Sequence, residues 1–157
     1  MINPTEKLFL EAYRANGGRL RKSTSKGDIE FHVDFTDPDT GESFDVKEPK
    51  AISRGEDRQY DLVLLEWTNV RGDAGWLRGR ATTIAFAAVG GFILADREEL
   101  VELVKAVDWE KPFEGGPKGV TYKRYDRSAF GRKDAFCWVP VQDVIGLPST
   151  KVLDKRP

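Results

Sequence analysis

The chain has 157 residues, of which 39% are hydrophobic, with 9 Phe, 4 Trp and 4 Tyr. That is enough for one domain with a real core, and it excludes general disorder. Formal net charge is −1 and the sequence pI is about 5.9, so overall charge does not announce a nucleic-acid binder. The single cysteine, Cys137, excludes an intramolecular disulfide and predicts a reducing, cytoplasmic setting; in AFCWVP it reads as a small core residue. No apolar stretch is long enough to span a bilayer and no signal peptide opens the chain, so no membrane role is expected.

Pro4 to Asn16 reads as a helix, with Asn3 as its cap, Pro4 in the first turn and Gly17-Gly18 at its end. Leu8, Phe9, Ala12 and Tyr13 form its apolar stripe. Glu6 lies beside that stripe, and Glu11 lies farther round. After a basic linker, Gly27 to Lys50 reads as a hairpin. Ile29, Phe31, Val33 and Phe35 alternate with Asp28, Glu30, His32 and Asp34, the pattern of a strand with one buried face. TDPDTG supplies turn chemistry. On the return strand, Phe44 and Val46 share one face and Asp45 and Lys47 the other.

Arg54 to Gln59 is a polar loop, followed by an apolar run, Leu62 to Trp67, that contains Glu66. A carboxylate there needs a cation or an Arg partner, or else sits at an exposed strand tip. A Gly- and Arg-rich segment follows. Residues Ala81 to Asp96 read as two strands about a Gly90-Gly91 turn, with a helix over Ala81 to Val89 as the competing reading. Asp96 caps a helix through Val107, with Lys105 in its last turn. Asp108 to Lys118 is a loop, Val120 to Tyr125 and Ala135 to Val139 are strands, and Gln142 to Gly146 is a helical turn. The tail from Pro148 is polar and expected to fray. The order α-β-β-β-β-β-α-β-β makes an α+β or mixed α/β domain.

Period-2 geometry places Asp28 or Asp34 on the face that carries Asp45 and Lys47. With a loop of Thr36 to Asp39, Asp28 faces Lys47 and is diagonal to Asp45, roughly 7–8 Å away, near enough to share a divalent cation. A tighter turn sets His32 or Asp34 opposite instead. Alternation fixes the parity of the register, not the register. Two carboxylates and the Val46 carbonyl can hold one hard cation, and Lys47 can orient water or offset developing charge. The bland alternative is a solvated Asp/Lys cross-strand pair, worth a few tenths of a kcal/mol. His32 is either a proton carrier or a solvent-facing strand residue.

Basic residues cluster around these segments. Arg19, Arg21 and Lys22 precede the hairpin, Arg71, Arg78 and Arg80 follow Glu66, and Lys123 and Arg132 lie in a later basic stretch with interleaved aromatics. Such clusters are commonly solvated faces, but beside acidic strands they suit phosphates near a metal. Trp67 and Trp76 are candidates for stacking on bases or for core and loop anchors.

Asp28, a hairpin and then Asp45-Val46-Lys47, behind an N-terminal helix, resemble the PD-(D/E)XK nuclease superfamily. The resemblance covers Pro4 to about Lys105. It implies a single domain over 1–157 with a restriction-endonuclease-like core over about 4–107: an N-terminal helix and a mixed central sheet with flanking helices. The strand segment 118–147 would be a C-terminal extension. It also implies a Mg²⁺- or Mn²⁺-dependent DNA endonuclease, selective for branched or junction DNA or not, with a homodimer as an allowed assembly. The family's first acid carries over to Asp28, its second to Asp45 and its lysine to Lys47, with Glu6 as the better candidate for a helix-borne ligand and Glu11 second. The Glu66 region further resembles small nuclease-like proteins of phages and bacteria, which makes Glu66 an accessory residue. Gly27 stands where the family often has Pro, and Asp45 where Glu is commoner. The rival expectation is a non-catalytic nucleic-acid-binding or inhibitory protein on the same fold.

Overall fold

The computed structural model of the chain describes residues 2–24, 31–50, 60–113, 120–125 and 133–155. In chain order the elements are α1 (Pro4–Ala15), β1 (Arg21–Lys22), β2 (Phe35–Thr36), β3 (Ser43–Lys47), β4 (Leu62–Thr68), β5 (Thr83–Ala88), β6 (Gly91–Asp96), α2 (Arg97–Leu103), β7 (Ala135–Pro140), α3 (Val141–Ile145) and β8 (Lys151–Asp154). A 3₁₀ turn, Trp76–Arg78, lies between β4 and β5. The fold is mixed α/β, mostly sheet with few helices.

Six strands form the central sheet in the order β1-β2-β3-β5-β6-β8. β3 and β5 run parallel, and the other neighbours are antiparallel. The pleat sends alternate residues to opposite faces. Phe44, Val46, Ala85 and Phe92 pack with Phe9 and Ala12 of α1. Ile84, Phe86, Ile93 and Ala95 pack on the other face with Leu65, Trp76, Leu77, Cys137 and Val139. Phe9 centres the first cluster, with the rings of Tyr13, Phe35, Phe44 and Phe92 at 5.2–6.0 Å. Truncating such a buried ring costs about 3–5 kcal/mol.

Local signals decide several elements. Asn3 caps α1, its side chain accepting the Glu6 N–H at 2.8 Å while Glu6 accepts the Asn3 N–H, a reciprocal capping box. The competing helix over Ala81 to Val89 is absent. β5 and β6 form a hairpin whose turn is Val89-Gly90, with Gly90 at φ +83°. Asp96 caps α2 through the Glu99 N–H, but α2 ends at Leu103 rather than Val107.

Other expectations are corrected. The apolar run of β4 does not join the central sheet. It pairs with β7 as a separate two-stranded sheet laid over the second cluster, where that face needs a cover. Val120 to Tyr125 is not a strand. Thr121 and Tyr125 make isolated bridges, and Tyr122 has φ +59°, which breaks extended backbone between them. The tail does not fray, because β8 pairs with β6 and Leu153 packs against the Phe9 cluster. Among the described residues no helix is long and apolar enough to cross a membrane.

Candidate functional site

Residues 31–34, just ahead of β2, do not continue the alternating strand their pattern predicts. Regular pairing covers Phe35 and Thr36, and His32 takes φ +55°. A tertiary strap holds it there. The Arg80 N–H donates to the Phe31 carbonyl at 2.9 Å, and His32 Nε2 lies 3.1 Å from the Ala74 carbonyl oxygen. Gly79 permits this approach, since a Cβ on it would lie 2.9 Å from the His32 Cβ. The alternation fails accordingly: Val33 packs with the Trp76 cluster, whereas Phe35 packs with the Phe9 cluster. His32 is therefore a strap residue rather than a solvent-facing strand residue.

Asp28 and Arg132 lie outside the described residues, as does the Arg54 to Gln59 loop. Among the described residues, the acid brought to Asp45 is Asp34. The hairpin loop is Asp37 to Glu42, longer than Thr36 to Asp39, and it pairs Phe35 with Phe44. Continuing that register sets Asp34 opposite Asp45. Asp37 fixes the loop by accepting the N–H groups of Asp39 and Thr40, and its other oxygen accepts the Tyr13 hydroxyl at 2.5 Å. Those bonds hold the Asp37 carboxyl below its usual range, and burial with Asp37 raises the Tyr13 phenol. Gly41 supplies φ +78° just before β3. A loop opened by Asp37 and holding Gly41 before β3 is the sequence signal that sets Asp34 beside Asp45.

Asp34 Oδ2 accepts the Val46 N–H at 2.7 Å, and the Asp34 N–H donates to the Phe44 carbonyl. The carboxylate thus takes a place on the β3 edge that β2 leaves open. Because a strand residue presents N–H and C=O to one side, the Val46 carbonyl faces that edge too. Asp45 is 3% exposed; its Oδ1 lies 3.1 Å from Lys47 Nζ, while its Oδ2 is buried with no hydrogen-bond partner among the described residues. Burial pushes the Asp45 carboxyl up to about 7, Lys47 opposes the rise and Asp34 adds to it. Lys47 Nζ also sits 5.2 Å from the centroid of the Trp76 ring.

Glu6 does not meet Asp45. Buried at the start of α1, it accepts from Lys22 Nζ at 3.3 Å, and Lys22 lies 3.9 Å from Asp34 Oδ1 and over the Phe35 ring. Lys22, expected on a DNA-binding surface, instead links the helix acid to the strand-edge acid. Glu66 lies on β4 opposite Phe136 and against Gly75, which a Cβ would drive to 2.8 Å from the Glu66 Cγ. Among the described residues, no ion pair joins Glu66 to Lys47. Arg19 pairs with Asp39 at 2.7 Å, and Arg78 donates to the Trp67 carbonyl and covers the Trp67 ring, whose plane stacks on Trp109. Arg71, Arg21 and Lys123 are exposed, Arg71 in a turn capped by Asn69. Trp76 is a core anchor.

An oxygen donor set of Asp34, Asp45 and the Val46 carbonyl suits a hard divalent cation, and the orphaned Asp45 Oδ2 is the atom such an ion would satisfy. Among the described residues no group of three or more His, Cys, Asp or Glu gathers into a metal cage. No protein-family model, curated protein or solved structure matches the chain.

Proposed function

We propose that the protein is a divalent-metal-dependent nuclease of restriction-endonuclease-like type that hydrolyses DNA phosphodiester bonds. The observation that supports it is the buried, unpartnered Asp45 Oδ2, with Asp34 opposite and Lys47 3.1 Å from the other oxygen. Asp34, Asp45 and the Val46 carbonyl would hold Mg²⁺ or Mn²⁺, and the ion would supply Lewis-acid polarisation of the phosphate. Lys47 holds a positive charge beside that position, where it orients the attacking water and offsets charge on the phosphate. Trp76 under Lys47 limits the directions its ammonium can take. Lys22, 3.9 Å from Asp34 Oδ1, places a positive charge beside that carboxylate from the other side. Hydrolysis adds water across one P–O bond, the proton passing to the leaving oxygen.

The test is plasmid nicking in Mg²⁺ or Mn²⁺, with EDTA as control, by wild type, Asp45→Asn and Lys47→Ala. Cleavage is expected from wild type only, and wild-type rates in Asp45→Asn would end the assignment. The second reading, a non-catalytic nucleic-acid-binding protein, is favoured by one observation: Lys47 and Lys22 already neutralise Asp45, Asp34 and Glu6. Its signature is salt-sensitive DNA binding without cleavage in any metal.

A further inference from the structure

We propose that the groove beside β1 and β2 binds an unpaired segment of a nucleic-acid strand, and that Arg80 and Phe31 are its recognition pair. The inference rests on the nuclease reading for its consequence, since it assigns the shape of substrate that reaches Asp34. Arg21, Ser23, Phe31, Val33 and Arg80 line the groove, a shallow concavity open to solvent. The Arg80 guanidinium lies 4.5 Å from the centroid of the Phe31 ring, and the Arg80 N–H holds the Phe31 carbonyl. The strap that breaks the expected strand therefore also builds this wall.

Charge sets the class of ligand. Arg19 is consumed by Asp39, Arg78 by Trp67 and Thr68, and Arg97 by the carbonyls of Ala81 and Leu77. Among the described residues neither Arg21 nor Arg80 has a carboxylate partner. Two unpaired guanidinium groups flanking an apolar floor complement a chain with phosphates outside and flat apolar bases inside. A duplex presents its backbone and keeps its bases stacked, so it reaches the arginines but not Phe31 and Val33. Two lining residues connect the groove to the acids. Val33 belongs to the cluster that contains Trp76, on which Lys47 rests, and Lys22, 3.9 Å from Asp34, forms its near end.

Fluorescence anisotropy in EDTA tests binding apart from cleavage, with a labelled single strand of about 12 nucleotides and a blunt duplex of that length. Wild type is expected to bind the single strand roughly tenfold more tightly, and Phe31→Leu and Arg80→Ala each to weaken that binding by about fivefold or more. Duplex affinity should fall by less than single-strand affinity in both variants, since a duplex meets Arg80 through its phosphates and does not reach Phe31. Equal affinity for the two forms, or unchanged single-strand affinity in Arg80→Ala, overturns the proposal. Arg80 is exposed, so that variant decides the matter even where Phe31→Leu fails to fold. Nicking measured in parallel separates the two claims. Strand binding lost in Arg80→Ala by a protein that never cuts keeps the groove and ends the nuclease. Cutting with groove variants that bind normally does the reverse.

Discussion

Asp34 and Val46 are joined by a side-chain-to-backbone bond of 2.7 Å, with a carboxylate in the position a strand carbonyl would occupy. That bond places one acid beside Asp45 without a continuous strand to carry it. Asp34→Ala removes the acceptor of a part-buried N–H and frees Lys22, and should cost about 1–3 kcal/mol in urea unfolding. Asp34→Asn keeps an acceptor oxygen, so it should cost less than half as much and still abolish cleavage. Equal destabilisation by both would show that charge, not the bond to Val46, is what the fold uses.

Asp45 makes stability depend on pH. Its carboxyl titrates near 7 when folded against an ordinary value of 3.8. The folded state holds this proton more tightly, so the contribution is complete below about pH 4 and is lost as pH rises through 7. The loss across that window is on the order of 4 kcal/mol at most. Asp45→Asn, neutral throughout, should flatten the curve and melt above wild type at pH 8. A cation held there favours the ionised form, so Mg²⁺ should raise the wild-type melting temperature more at pH 8 than at pH 5. Matching pH profiles for wild type and Asp45→Asn would show that Asp45 titrates in its ordinary range.

What the chain discloses on its own divides by the range of the interaction involved. Asn3 with Glu6, Asp96 with Glu99 and the Val89-Gly90 turn act within a few residues, and α1, α2 and the β5–β6 hairpin start or turn where those residues stand. The parity of Asp45 and Lys47 on β3 is equally local. The partner of Asp45 was open between Asp28 and Asp34 because it depends on where a six-residue loop centres. The segment Phe31 to Asp34 carries perfect alternation yet is strapped by Ala74, Gly79 and Arg80, residues more than 40 positions away. β4 is apolar enough for either sheet, and its partner, β7, comes some 70 residues later. β8 reads as polar tail because one side of an edge strand meets solvent.

Lys22 should be structural as well as electrostatic. It is the ammonium between Glu6, whose side chain is 7% exposed, and Asp34. Lys22→Met leaves a buried carboxylate without its cation and should destabilise by about 2–4 kcal/mol. Adding Glu6→Gln should recover at least half of that, because the unpaired charge is then gone. The double-mutant cycle is read by chemical denaturation, and strict additivity would mean that Glu6 and Lys22 do not interact in solution.

Gly91 reads in sequence as half of a turn, but its role is clearance for β8. It pairs with Ala88 and Asp154 inside the sheet, and a Cβ on it would lie 2.1 Å from the Leu153 carbonyl oxygen. Backbone cannot rotate out of the way as a side chain can, so Gly91→Ala must push β8 off β6. The cost expected is about 1–3 kcal/mol, the range for overpacking a close-packed contact. Deleting residues 151–157 removes the obstacle along with the strand. In that shortened chain Gly91→Ala should be neutral to within about 0.5 kcal/mol, or slightly stabilising through reduced freedom of the unfolded chain. If Gly91→Ala costs the same with and without the tail, β8 does not occupy the β6 edge in solution, and the sheet has five strands and ends at β6.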